Sequence, residues 1–381
     1  MFSSKPGRPF WFLLRAAIFL LVFGAVAEVW LRTVMPACSS PLSYQEQPAT
    51  VFRFDPAGPR TGRWTIGRLC LGGGRWRVNN AGWNSAIDYQ PRTARDRPLI
   101  ALFGDSFVEG FLTDTDEHIE SFLTRYLPSA DAYAFALSAW YLEQHVAVSR
   151  YATRTYAPSL LVVFVDQGDV VLSMRENGVV SPYLWQIATV DGSLVEIPPS
   201  AAYVASRKVR LAKKSALINY LRYNAKLQLP GMQNAALPQP TGEATAAQGD
   251  EAAPESPGAD ASWRELLPAA DFMVGRLSEQ HAGTPIIFVG YGNRPVDRYL
   301  PLDDIADTPL FADARAVQAA CKGRPQCSFI DLRYAYSRDW AANHVRFEAA
   351  DGRHWNAHAN RMVARTLADF VAQNDLLPAA E

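Results

Sequence analysis

The sequence predicts an α/β fold in which a mainly parallel β-sheet is covered by helices on both faces. Continuous apolar runs are typical of strands buried on both sides, and they occur at 98–103, 132–137, 160–165, 285–289 and 328–332. Helical patterns lie between them, at 118–126, 142–156, 262–281 and 313–321. Because strand and helix alternate along the chain, successive strands are expected to run parallel.

Length and composition exclude several classes of protein. The chain has 381 residues, with 37 Lys and Arg against 38 Asp and Glu, so its net charge of −1 argues against a nucleic-acid partner. Hydrophobic residues make up 49% and charged residues 20%, which is typical of a globular and not a disordered protein. The length fits one large domain with attachments, or two smaller domains. A multi-span transporter is excluded because the chain has room for only one membrane segment.

Residues 1–30 are predicted to form an N-terminal signal anchor. The stretch Ala16–Ala27 carries no charge, and basic residues (Lys5, Arg8 and Arg15) lie before or at the start of the apolar segment. A bilayer span needs ~20 mostly apolar residues, which this segment supplies. The basic residues place the N-terminus inside. The remainder would then face the periplasm or the cell exterior, from a single-pass anchor in the inner membrane.

A cleaved signal peptide is the alternative, because Ala25-Val26-Ala27 fits the small-x-small cleavage rule. Either interpretation exports the rest of the chain. The anchor is favoured because apolar residues resume after Ala27, at Val29–Leu31.

The exported part divides into an irregular lead-in segment at 31–95 and the α/β domain at 96–375. An insertion at 176–230 interrupts that domain and carries a basic, helix-like segment at 204–226. This segment is interpreted as an interfacial helix, a site for an anionic polymer, or a solvated helix face. Residues 231–261 are dominated by Ala, Pro, Gly, Gln and acidic residues, so a disordered loop is expected there.

The four cysteines all follow the apolar segment and fit an oxidising compartment. Cys321 and Cys327 enclose a short loop whose spacing is compatible with a disulfide, and Cys38 would by exclusion pair with Cys70. The alternative is two unpaired, buried cysteines. No CxxC or His-x-x-x-His cluster accompanies them, so no metal site is predicted.

A serine follows the first apolar run directly, in Gly104-Asp105-Ser106-Phe107. At the end of a strand and the start of a helix, its hydroxyl is exposed and its backbone N–H is free. Both features suit nucleophilic acyl chemistry, in which the oxyanion needs donors beside the attacked carbon. The alternative is an ordinary strand-to-helix turn with Ser106 as the helix N-cap.

The second motif is Asp351-Gly-Arg-His354, which precedes the last predicted helix. An Asp three residues before a His can orient the imidazole from within the same turn. The His could then act as general base towards the serine, provided that the fold brings the two together. The alternative is a solvated turn with Asp351 as the helix cap.

Together the two motifs resemble those of the SGNH (GDSL-like) hydrolase family, over roughly residues 77–375. The segment Asn79–Ser85 is similar to the lead-in of its bacterial exported members. The resemblance implies a three-layer α/β/α sandwich with a five-stranded parallel sheet. It also implies that Ser106 is the nucleophile, His354 the base and Asp351 the carboxylate that orients it.

The resemblance further implies an oxyanion hole, in which this sequence departs from the family pattern. The family's glycine after the second strand corresponds to Ala139, which keeps the N–H beside that of Ser106. The family's asparagine after the third strand corresponds to Gly168, which has no side-chain amide. Gln167 could supply an amide from the neighbouring position.

No cofactor or metal ligand set is predicted, because His118 and His145 are isolated in the sequence. Trp83, Trp140 and Trp355 lie beside the motifs. They could stack on the sugar rings of a glycan or pack in the core.

The predicted function is that of an exported, membrane-tethered serine esterase. Its substrate would be an acyl ester, of an O-acetylated envelope polysaccharide or of a lipid, and the acyl group could pass to water or to a sugar hydroxyl. The alternative is a non-catalytic glycan-binding or envelope-assembly protein that keeps the fold with a degraded oxyanion hole.

Overall fold

The computed structural model describes residues 8–45, 47, 51–177, 180–227, 263–291 and 295–378. The loop predicted to be disordered, 231–261, lies outside the described residues. The helices are α1 (Arg8–Thr33), α2 (Ser106–Glu109), α3 (Ile119–Tyr126), α4 (Leu142–Tyr156), α5 (Arg207–Ala212), α6 (Ala216–Asn219), α7 (Trp263–Gln280), α8 (Leu302–Ile305), α9 (Ala312–Cys321), α10 (Arg333–Asn343) and α11 (Ala357–Gln373). The strands are β1 (Ser43–Gln45), β2 (Arg53–Phe54), β3 (Thr61–Arg63), β4 (Arg75–Arg77), β5 (Leu99–Gly104), β6 (Asp131–Ala136), β7 (Leu160–Val165), β8 (Gln186–Val190), β9 (Ser193–Ile197), β10 (Tyr203–Val204), β11 (Ile286–Gly290) and β12 (Cys327–Asp331).

The central sheet has five strands in the order β12-β11-β7-β5-β6, and every neighbouring pair is parallel. These strands are the five predicted apolar runs, so the predicted fold class is confirmed. The chain passes from β5 to β6 on one side and then continues through β7 to β11 on the other. Strand order therefore reverses between β5 and β7, and ligands of open α/β sheets bind at the carboxyl ends of strands beside such a point.

Two apolar layers sandwich the sheet because successive side chains of a strand point to opposite faces. In β5, Leu99, Ala101 and Phe103 join a core shared with α4, α7 and α9. Ile100 and Leu102 of the same strand join the other core, shared with α3, α10 and α11. The alternation thus produces the three-layer α/β/α arrangement.

The lead-in segment packs against the α4 side of the sheet. Strand β1 pairs antiparallel with β2 and, across a long stretch of sequence, with β10. Phe52, Trp76 and Trp83 from this segment are buried in the same core as α4. The segment therefore covers one face of the α/β domain.

The tryptophans beside the motifs are core residues. Trp83, Trp140 and Trp355 are all buried, and Trp83 packs edge-on against Trp140 with ring centroids 5.9 Å apart. Of the two sequence-based interpretations, glycan stacking or core packing, these positions fit core packing.

Two parts of the chain differ from the sequence-based expectation. The basic segment is not one helix: α5 and α6 are separate, because the side chains of Ser206 and Ser215 each cap the start of a new helix. Helix α10 was not predicted, since its apolar and polar residues do not segregate onto opposite faces.

Helix α1 is long and apolar enough to cross a membrane, because Phe10–Thr33 contains an 18-residue stretch with a mean hydropathy of 2.3. A signal sequence near an N-terminus has the same properties. Its last turns contact the domain directly: Leu31 packs with Ala37 and Ala216 in a small buried cluster.

The four cysteines lie in two neighbouring pairs, each as free thiols. The interaction between the Cys321 and Cys327 thiols raises the pKa of Cys321 and lowers that of Cys327 to about 7. Burial raises the pKa values of Cys38 and Cys70, and Thr65 partly offsets this at both thiols. The two predicted disulfides remain predictions.

We expect mass mapping under non-reducing conditions to detect a Cys321–Cys327 bridge in protein exported to an oxidising compartment. Closing a loop of seven residues stabilises the fold by about 2 kcal/mol in the entropic treatment, so reduction should lower the melting temperature by several degrees. A Cys321→Ser variant should show the lower melting temperature with and without reductant. Free thiols at both positions would contradict the prediction.

Candidate active site

Ser106 begins α2 directly after β5, at the point where strand order reverses. The turn is tight: a Cβ on Gly104 would lie 2.3 Å from Cγ2 of Val108, so only glycine allows α2 to fold back on the strand. Asp105 caps the helix by accepting the N–H of Phe107 at 2.9 Å. Its carboxylate also accepts the Tyr291 hydroxyl at 3.1 Å, which ties the turn to the end of β11.

His354 and Asp351 meet Ser106 across a sequence separation of 248 residues. Oγ of Ser106 lies 2.8 Å from Nε2 of His354, and Nδ1 of His354 lies 2.5 Å from Oδ2 of Asp351. The other oxygen of Asp351 accepts the backbone N–H groups of Arg353 and His354, each at 3.0 Å. The structure thus brings together the three residues that the sequence motifs singled out.

The Asp351 carboxylate stays ionised. Partial burial raises its pKa, but the hydrogen bonds and charge of His354 outweigh burial, and the net pKa lies below the usual value. An ionised carboxylate on Nδ1 fixes the tautomer in which Nε2 is free to accept a proton from Ser106.

Phe107 holds the imidazole from the side. Its ring centroid lies 4.8 Å from that of His354 and 5.0 Å from that of Trp355. The guanidinium of Arg298 lies over the Phe107 ring at 5.6 Å and also bonds the carboxylate of Glu348 at 3.2 Å. Nothing in the local sequence pattern indicated Arg298, which reaches Phe107 from a distant segment of the chain.

Two backbone N–H groups at this edge of the sheet have no acceptor among the described residues. Within the part of the chain that the structure describes, the N–H groups of Ser106 and Ala139 donate to no protein acceptor. Ala139 has φ = 61°, the left-handed conformation that glycine adopts more easily. Because β6 and β5 are parallel neighbours, Ala139 follows β6 at the same sheet edge as Ser106.

Glu109 links α2, which begins at Ser106, to the loop after β6, which contains Ser138 and Ala139. Its carboxylate accepts the Ser138 N–H at 2.9 Å and the Ser138 hydroxyl, and its backbone carbonyl accepts the side-chain amide of Asn84 at 2.9 Å. Burial raises the pKa of Glu109 to about 8. No sequence motif indicated Glu109, although it lies one helical turn after Ser106.

We expect stability to fall as pH rises from about 4.5 to 8, partly through Glu109. Its folded pKa lies above the unfolded one, so the native state keeps a proton that the unfolded chain releases in this window. Melting curves between pH 5 and 8.5 should therefore show a smaller fall for Glu109→Gln than for wild type. An identical pH dependence in the two proteins would contradict a buried, protonated Glu109.

Gln167 and Gly168 lie in the turn after β7, on the other side of β5. The Gln167 N–H donates to the Asp166 carboxylate at 2.7 Å, and the Val170 N–H donates to the Asp313 carboxylate at 2.8 Å. These bonds commit the N–H groups of Gln167 and Val170 to carboxylates, so the backbone of Gln167 offers no donor to an oxyanion.

Several buried carboxyl groups lie near this turn. Burial raises the pKa of Asp105, and it raises the pKa values of Asp166 and Asp169 well above the usual range, with their mutual repulsion adding to the effect. Burial therefore disfavours the charged forms of these three side chains.

A second His–Asp pair lies one helical turn beyond His354. Nε2 of His358 lies 2.5 Å from Oδ2 of Asp339 on α10, a separation equal to that in the His354–Asp351 pair. His358 also stacks on Phe347. Its Nε2 is occupied by Asp339, whereas the Nε2 of His354 contacts Ser106. The His358 pair therefore joins α10 to α11.

No protein-family model matches the sequence, and no curated protein matches it. Among solved structures, it is similar to the salicylyl-acyltransferase SsfX3 from a tetracycline biosynthetic pathway, with 12% identity and a TM-score of 0.39; the match covers 75% of this chain and 57% of that protein. It is also similar to TesA (11% identity, TM-score 0.37, 74% and 100% covered). A third is the family 3 carbohydrate esterase of Clostridium thermocellum (10% identity, TM-score 0.36, 74% and 100% covered). The fold assignment rests on the strand order and not on these similarities.

Proposed function

We propose that this protein is a membrane-tethered serine esterase. The observation that carries the proposal is the continuous hydrogen-bonded chain from Ser106 through His354 to Asp351, at the sheet edge where strand order reverses. Ser106 is the nucleophile, His354 the general base and Asp351 the carboxylate that orients it.

In the first half of the reaction, Oγ of Ser106 attacks the ester carbonyl carbon while Nε2 of His354 takes the hydroxyl proton. The N–H groups of Ser106 and Ala139 hold the oxyanion of the tetrahedral intermediate. Collapse of the intermediate breaks the ester C–O bond, and His354 returns the proton to the leaving alkoxide. An acyl-serine and a free alcohol result.

In the second half, His354 takes a proton from a water molecule or from an acceptor hydroxyl. The oxygen attacks the acyl-serine, and the proton returns to Ser106 as the acid or the new ester leaves. Acyl esters of an envelope polysaccharide are the proposed substrate class, with lipid esters as the second. The support is the apolar helix α1, which as a single anchor in the inner membrane would hold the domain on its periplasmic or outer side.

The test is labelling by a fluorophosphonate probe, which reacts with an activated serine. Wild type should be labelled, and Ser106→Ala should not. Ser121→Ala is the matched control, because Oγ of Ser121 donates to the carbonyl of Thr115 and has no imidazole partner; labelling should persist. Absence of labelling in folded wild type would reject the esterase.

The second candidate is a non-catalytic binding protein with the same fold. It is favoured by one observation: Gly168 has no side-chain amide with which to hold an oxyanion. Equal inertness of wild type and Ser106→Ala on all esters tried, with retained glycan binding, would select this candidate.

We expect that Gly168→Asn will not create a working third donor. Gly168 has φ = 97°, which side chains rarely adopt, and a Cβ there would lie 3.1 Å from Cδ1 of Leu172. The variant should lose about 1–2 kcal/mol of stability without a gain in turnover. Higher turnover with unchanged stability, measured on a small activated acetate, would contradict this.

Gln167→Ala tests separately whether the Gln167 side-chain amide is a third donor to the oxyanion. If the oxyanion relies on Ser106 and Ala139 alone, turnover should stay within about threefold of wild type. A loss of ~10²–10³-fold is the signature of a lost oxyanion donor and would identify the Gln167 amide as the third.

A further inference from the structure

A strongly basic segment lies between the lead-in strands and the domain core. Residues 198–227 contain seven basic side chains and no acidic one: Arg207, Lys208, Arg210, Lys213, Lys214, Arg222 and Lys226. Five of the seven fall within α5 and the two residues that follow it. The proposed esterase reaction uses none of them.

The end of α1 fixes this segment in place. The Glu28 carboxylate accepts the Ser215 hydroxyl at 2.8 Å and the N–H groups of Ala216 and Leu217 at 2.8 and 2.9 Å. The Arg32 guanidinium donates to the carbonyl of Lys214 at 2.6 Å. The residues directly after α5 are thus bonded to the last turns of α1.

A second contact holds the other side of the same turn. The Lys213 side chain is half-buried, and its ammonium donates to Oγ of Ser40 at 2.9 Å and to the carbonyl of Pro41. Because Ser40 and Pro41 lie in the chain that leaves α1, seven and eight residues after Thr33, α5 is anchored to both the helix and this chain.

These contacts set the height of α5 relative to a bilayer. A membrane span of about 20 mostly apolar residues, counted from Phe10, ends at Val29. Glu28 and Arg32 therefore lie at the outer boundary, where lipid headgroups begin. α5, bonded to them, lies in the same layer.

The free surface of α5 has the composition of an interfacial helix. Arg207, Lys208, Arg210 and Lys214 are exposed, and Leu211 between them is 61% exposed. Long basic side chains place charge among headgroups, while the leucine enters the acyl boundary.

A turn from the lead-in segment extends this surface. Ile66 and Leu71 form an isolated antiparallel bridge, and Arg68, Leu69 and Leu71 are all exposed. The Tyr220 hydroxyl donates to the carbonyl of Arg68 at 3.1 Å, so the turn is fixed to the chain that follows α6.

We propose that α5 and the turn at 66–71 form a lipid-binding surface for anionic headgroups, which holds the domain against the membrane. The lipid patch, as we call these two elements, rests on the membrane anchoring in the proposed function and is independent of the esterase chemistry. Charge complementarity with acidic phospholipids and continuity with α1 select this occupant.

The experiment measures hydrogen exchange of the full chain in two kinds of lipid nanodisc. The neutral discs contain phosphatidylcholine alone, and in the anionic discs phosphatidylglycerol makes up about a third of the lipid. Amides of 207–214 and 66–71 should exchange at least severalfold more slowly in the anionic discs, and high salt should remove the difference. The variant Arg207→Gln/Lys208→Gln/Arg210→Gln/Lys214→Gln should lose the protection.

The matched control removes four exposed cations elsewhere, in Arg92→Gln/Arg154→Gln/Lys322→Gln/Arg338→Gln, and should keep the protection. Equal exchange in the two kinds of disc would overturn the proposal. The proposal would also be overturned if soluble dextran sulfate slowed exchange of these amides in neutral discs while phosphatidylglycerol had no effect. That result would assign the surface to an anionic polymer. Failure of the protein to enter discs would overturn the anchor and the lipid patch together, whereas fluorophosphonate labelling reports on the esterase alone.

Discussion

Asp351→Asn is expected to lower the turnover of an activated acetate on the order of 10⁴-fold while leaving the fold intact. The amide can accept or donate at Nδ1 of His354, so it no longer enforces the tautomer that frees Nε2, 2.8 Å from Oγ of Ser106. It also removes the negative charge that stabilises the imidazolium formed during attack. The measurement is kcat together with a melting curve.

The chain supplies a matched control in its second His–Asp pair. Asp339→Asn disrupts a contact of the same 2.5 Å length, on His358, whose Nε2 does not contact the serine. We expect kcat within about threefold of wild type and a loss of stability of about 1 kcal/mol. Equal losses of kcat in the two variants would show that the effect comes from disturbing α11 and not from the triad.

Arg298→Gln is expected to destabilise the protein by about 3–5 kcal/mol, because it removes the buried charge partner of the Glu348 carboxylate and leaves only the exposed Arg346. The Arg298 side chain is 0% exposed, bonds Glu348 at 3.2 Å and covers the Phe107 ring. Glu348 in turn pairs through its backbone with Trp355, beside His354. The melting temperature should fall by roughly 10 °C.

Arg346→Gln is the control for that variant, since Arg346 also contacts the Glu348 carboxylate, at 3.4 Å. Its side chain is 75% exposed, so water replaces it and the loss should stay below about 1 kcal/mol. If both variants lose the same stability, burial is not what makes the Arg298–Glu348 ion pair contribute strongly to the free energy of unfolding.

The sheet could be predicted from the sequence because each central strand is buried on both faces and appears as an unbroken apolar run, as in Leu160–Val165. Ser106, Asp351 and His354 could be singled out because each motif is local in sequence. Their meeting is a property of strand order, which no single motif encodes. Glu109, Asp313 and Arg298 were missed for the same reason: their partners lie 29 or more residues away.

The direct junction between α1 and the domain limits where the protein can search for substrate. A flexible tether of 50 residues would let a domain move about 40 Å from its anchor, since the end-to-end distance of such chains is roughly 5–6 Å times the square root of the number of residues. Here Leu31, Ala37 and Cys38 are already buried, so no flexible linker separates α1 from the domain. If α1 is anchored, encounters occur in two dimensions, and the substrate has to come to the membrane surface because the domain cannot travel outward to meet it.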